Sequence, residues 1–92
     1  MNTLENTLPK LFREHPNYVF DISLIEGFDL DFQLKTISQH KEKDQSPRAF
    51  RGKLSGDFET ERFGVINARL KDKVMVRYEY ISRIIIAEYG NK

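Results

Sequence analysis

The sequence predicts a mainly β domain led by one short helix. Three patterns carry that reading. Leu4, Leu8, Leu11 and Phe12 recur at helical spacing. From Val19 to Leu34 the apolar period drops to two. Near the C-terminus, Ile84-Ile85-Ile86-Ala87 is apolar on both faces of any strand it forms. A chain of 92 residues makes a single domain, residues 1–92, whose own core is marginal. It has no cysteine, so disulfides and thiol chemistry are unavailable. MNTLENTLPK lacks the basic and apolar regions of a signal peptide, and no apolar run is long enough to span a membrane. The expectation is a cytoplasmic protein.

The helix is expected over about 4–14. Asn6 is the candidate N-cap, which puts Pro9 in the first turn, where proline is tolerated. His15-Pro16 ends the helix, because a residue preceding proline avoids helical backbone. Next, Phe20, Ile22 and Leu24 alternate with Asp21 and Ser23. After Glu26-Gly27, Phe28, Leu30, Phe32 and Leu34 alternate with Asp29, Asp31 and Gln33. Two alternating runs around a glycine predict a hairpin with one buried face.

Residues 41–63 break the pattern and read as a charged insert holding Pro47, Gly52 and Gly56. The part to Pro47 is expected to be loop. Ala49–Phe63 is either an irregular hairpin turning near Ser55-Gly56-Asp57 or unstructured. Order returns at Gly64. Val65–Leu70 is a candidate strand, Lys71-Asp72-Lys73 a turn, and Val74–Tyr80 a strand with Val74, Val76, Tyr78 and Tyr80 on one face. The doubly apolar Ile84–Ala87 run must then lie centrally in a sheet or be covered by another subunit.

Net charge is +1, with three basic and six acidic residues in 1–40 against twelve and eight in 41–92. A polyanion-binding face would therefore draw mainly on the second half. His15 and His40, the only histidines, have no set of partners at metal-ligand spacing. Asp29 and Asp31 are not accompanied by a nucleophile, and no glycine-rich phosphate loop is present. No metal, cofactor or enzymatic activity is expected.

One helix followed by about five strands is also the layout of the Sm-like fold, a small, strongly bent barrel. The residues resemble its bacterial branch, the Hfq-type RNA chaperones. Leu8, Leu11, Arg13 and Glu14 match that family's L-x-x-L-x-R-E helix. Ile22, Leu24, Gly27, Leu30 and Gln33 match its I-x-L-x-x-G-x-x-L-x-x-Q strands, and Gln39 matches a further glutamine. Tyr78-Glu79-Tyr80-Ile81-Ser82 is similar to a degenerate form of its Y-K-H signature. The resemblance covers roughly residues 4–40 and 64–86.

The resemblance implies a bent five-stranded antiparallel Sm-like barrel that forms a homo-oligomeric ring. Ile84, Ile85, Ile86, Val76 and Tyr78 are the expected interface. It implies binding of single-stranded, uridine-rich RNA through Gln39, His40, Arg13 and His15. Glu79 and Tyr80 replace the family's lysine and histidine. Ser23, Asp29 and Asp31 replace its adenine-binding residues, so binding is expected to be weak or of altered specificity. The alternative is a protein-interaction or accessory module on the same barrel that has lost RNA binding and docks a protein partner through residues 41–63.

Overall fold

A computed structural model of the chain describes residues 4–39 and 49–90. Helix α1 (Leu4–Glu14) precedes seven strands: β1 (Val19–Leu24), β2 (Phe28–Asp31), β3 (Thr36–Gln39), β4 (Ala49–Phe58), β5 (Arg62–Asn67), β6 (Lys73–Arg77) and β7 (Ile81–Glu88). Five of them form an antiparallel sheet in the order β6-β5-β4-β1-β7, while β2 and β3 pair only with each other. The fold is mainly β with an N-terminal helix, as the patterning predicts. The sheet is not closed into a barrel: β6 and β7 are its edges.

α1 begins at Leu4, so Pro9 sits inside the helix and not in its first turn. Proline there forfeits one backbone hydrogen bond. Packing compensates: Leu8 is buried, Leu4, Leu11 and Phe12 lie against the core, and the Phe12 ring meets Phe58 edge-on at 5.9 Å. The helix ends at Glu14, as His15-Pro16 predicts.

The expected hairpin over Val19–Leu34 is half right. The turn is at Gly27, whose φ of 92° suits glycine. However, β1 does not pair with β2. It lies between β4 and β7, with Phe20, Ile22 and Leu24 buried. Alternation selects the buried face but does not name the neighbouring strand. β2 leaves the main sheet and stops at Asp31. There the Asp31 carboxylate accepts hydrogen bonds from the backbone N–H groups of Gln33 and Leu34, both at 2.9 Å. Phe32 and Leu34 are consequently left 40% and 70% exposed.

The charged insert requires the larger correction. Residues 40–48 lie outside the described residues, but Ala49–Phe58 is a ten-residue strand in the middle of the sheet, between β1 and β5. Phe50, Gly52 and Leu54 point into the core, and Arg51 and Lys53 point out. Glycine at the middle inward position hides the period of two. The chain turns at Glu59–Glu61, not at Ser55–Asp57, and β5 begins at Arg62, before Gly64.

β5 closes in a tight turn built by Asn67, which is 2% exposed. Its Oδ1 accepts from the N–H groups of Arg69 (2.9 Å) and Leu70 (2.7 Å), and its Nδ2 donates to the Arg51 carbonyl at 3.4 Å. Asn67→Ala removes the shared acceptor of two part-buried backbone N–H groups. It is expected to cost about 1–3 kcal/mol, read as a lower denaturant midpoint, with Asn67→Asp recovering part of the loss. An alanine variant with an unchanged midpoint would show that the turn forms without this cap.

The strand expected over Val74–Tyr80 stops at Arg77, and Tyr78–Tyr80 form a 3-10 turn. Tyr78 and Tyr80 therefore do not continue one strand face. Tyr78 packs on Phe63 with ring centroids 5.0 Å apart, and Tyr80 stacks on Phe28 at 4.4 Å. Val76 and Tyr78 are 0% and 4% exposed, so their side chains belong to the chain's own core.

Candidate functional site

The doubly apolar strand is the first site the fold creates. Among the described residues, β7 pairs with β1 along one side only, and no strand lies along the backbone N–H and C=O groups of its outer side. Ile84 and Ile86 pack against the core, and Ile85 is 42% exposed. Beside them, an apolar groove of about 450 Å³ runs between α1 and β7, walled by Leu4, Leu8 and Leu11 on one side and Ile84 and Ile86 on the other. Of the expected interface, the three isoleucines thus lie on the open edge.

Among the described residues, Gln39 does not converge with Arg13 and His15. His40 and the neighbouring Lys41, Lys43 and Arg48 lie outside the described residues. Arg13 is exposed in the last turn of α1. His15 lies flat on Tyr18, with centroids 4.3 Å apart and planes 2° apart, and Tyr89 abuts the Tyr18 ring edge-on. That cluster sits where β1 begins and β7 ends, since Val19 pairs with Glu88. Gln39 is exposed opposite Phe28, whose ring lies on Tyr80 beyond the other end of β1. A six-residue strand spans about 17 Å at 3.3 Å per residue, so Gln39 and His15 lie at opposite ends of it.

Charge around the 3-10 turn is acidic and internally paired. Arg77 Nε donates to Glu79 at 2.7 Å, and Arg77 Nη2 donates to Glu61 at 2.8 Å. Glu79 first, then Glu61, raises the guanidinium's pKa further above its ordinary value. The Tyr78 hydroxyl is also raised, by burial and then by Glu5. Glu79 is thus paired with Arg77.

The β2–β3 hairpin folds back toward the turn between β5 and β6. Lys35 Nζ meets Asp72 at 2.8 Å, and the Arg69 guanidinium lies 4.5 Å over the Phe32 ring. The Lys35 bond and the Lys73 backbone N–H hold the Asp72 carboxyl below its usual pKa. Asp57 is lowered by the Ser55 hydroxyl and by Lys73. Both ion pairs lie at the surface with their side chains about half exposed. They contribute above the usual carboxylate range and fade as acidification passes through the lowered values.

Between this hairpin tip and the sheet lies a cleft of about 360 Å³ that includes Asp21, Phe32, Arg51 and Arg69. Asp21 of β1 and Arg51 of β4 are register partners, with Arg51 Nε donating to Asp21 Oδ1 at 2.8 Å. Sequence reasoning missed this grouping because its parts come from four separate segments. Among the described residues, no three His, Cys, Asp or Glu side chains are grouped to hold a metal ion, and no helix is long and apolar enough to cross a membrane.

No family model, curated protein or solved structure matches this chain.

Proposed function

We propose that this protein is a non-catalytic, self-associating module of Sm-like type that binds single-stranded RNA with altered specificity. The observation that carries the assembly half is the outer edge of β7, unpaired and flanked by isoleucines and an apolar groove. Pairing between the β7 edge of one copy and the β6 edge of the next is heterologous and closes a ring if its rotation is right. It also covers two strand edges that otherwise invite uncontrolled pairing. The protein should sediment as a discrete oligomer at micromolar concentration. Ile85→Lys should convert it to monomer with its circular dichroism intact, because Ile85 is already partly exposed in the single chain. A wild-type chain that stays monomeric across that range sinks the ring.

Assembly without RNA is the second reading, favoured by the pairing of Arg77 with Glu61 and Glu79 and by the separation of Gln39 from Arg13 and His15. Nucleic acid that survives purification distinguishes the two readings. Four tyrosines and no tryptophan give the protein weak near-ultraviolet absorbance, so bound RNA dominates the spectrum. A tyrosine-only spectrum, together with no retardation of any labelled RNA at low salt, would leave assembly alone.

A further inference from the structure

We infer that the cleft between the hairpin tip and the sheet is a binding site for a guanine base. The aromatic platform is Phe32, a residue 40% exposed whose ring carries the Arg69 guanidinium 4.5 Å over it. A nucleobase stacks on such a ring or extends such a guanidinium–aromatic stack. The cleft volume lies at the small end of the range for small-molecule sites, about 300–1,000 Å³, which suits one base and not a larger ligand.

Hydrogen-bonding chemistry selects among the bases. The cleft offers an acceptor group, the Asp21 carboxylate, directly beside a donor group, the Arg51 guanidinium. Guanine has N1–H and N2–H₂ donors side by side, matching two carboxylate oxygens, and O6 and N7 acceptors that match a guanidinium. Adenine has no pair of adjacent donors. Uracil has one N–H between two carbonyls, which a carboxylate repels. Glu88 lies 3.8 Å from Arg51 Nη1, and Asp72 is paired with Lys35 of the same hairpin. These carboxylates disfavour a site based on phosphate charge alone. Recognition therefore rests on the base.

The guanine can come from a free nucleotide or from single-stranded RNA, and only the second source rests on the RNA-binding reading above. The full chain is titrated with GMP by calorimetry. It is titrated in parallel with labelled short oligonucleotides, all-uridine or carrying one guanosine or one inosine, by anisotropy. Inosine lacks the N2 amine. The expected result is binding of GMP, preference for the guanosine oligonucleotide over both others, and a roughly 5- to 100-fold loss for Phe32→Ala. Asp21→Asn should erase the guanosine-over-inosine preference. Both side chains are partly exposed, and a thermal melt of each variant verifies folding. Oligonucleotide binding that ignores base identity and Phe32 overturns the guanine site while sparing RNA binding. GMP binding that needs Phe32, with no oligonucleotide binding, keeps the site and removes the RNA reading. No binding of either probe overturns both.

Discussion

A chain from which residues 43–61 are deleted and the ends rejoined should fail to fold. On sequence grounds this segment reads as a removable surface insert, since it is charged and carries proline and glycines. In the fold it contains all of β4, the strand on which both neighbours depend. Without β4, β1 and β7 remain one ladder and β5 and β6 another, with no backbone hydrogen bonds between the two pairs. Phe50 and Leu54 leave the core, and Phe12 loses its Phe58 partner. Burying each such side chain is worth about 1.5–3 kcal/mol, against a total of about 5–15 kcal/mol for a small domain. Unpaired ladder groups on β1 and β5 add to the loss. Circular dichroism should show no cooperative thermal transition. A deletion protein that melts cooperatively near the wild-type temperature would show that β1 and β5 can be joined without β4.

Gly52→Val should unfold the protein or come close to it. Gly52 faces Phe20 on β1 and Asn67 on β5. A Cβ at this position would stand 2.5 Å from the Ile66 carbonyl oxygen and 2.5 Å from Val65 Cγ1. The first is backbone in a strand paired on both sides, and the second belongs to a side chain with no solvent exposure, so neither has room to retreat. Overpacking of this kind costs about 1–3 kcal/mol and sometimes more. Because the blocking atom is backbone, the cost here should lie at or above the top of that range. Gly52→Ala should be only slightly milder, since Cβ itself makes the clash. Gly27 is the internal control: its Cβ would meet nothing within 4 Å, so Gly27→Ala incurs only the backbone cost of positive φ, roughly 1–2 kcal/mol. Equal denaturant midpoints for Gly52→Val and wild type would mean that β4 and β5 are not held this close.

The same contrast explains which parts of the candidate site were legible. The isoleucines of β7 stand out because three in a row cannot all face one side of a strand. Val76 and Tyr78 look equally suited to an interface, but alternation cannot tell a subunit contact from the chain's own core, and they went to the core. Arg13, His15 and Gln39 are the right types for RNA, yet chain spacing does not show that β1 separates them. The Phe32–Arg69–Asp21–Arg51 grouping had no sequence signature, because it depends on the hairpin folding back over the sheet.

Local pattern alone determined the helix and its stop at His15-Pro16, the turn at Gly27, the inward faces of β1 and β6, and the doubly apolar character of β7. Each of these follows from side-chain period or from the backbone limits of proline and glycine, which act over a few residues. Tertiary structure decided that β1 pairs with β4 and β7, that β2 leaves the sheet, and that the charged segment supplies a central strand. It also left the sheet open, with β7 exposed at one edge. Strand partners are chosen by the burial and hydrogen bonding of residues far apart in the chain. In β4 the deciding contacts converge on a glycine, the residue with no side chain to announce them.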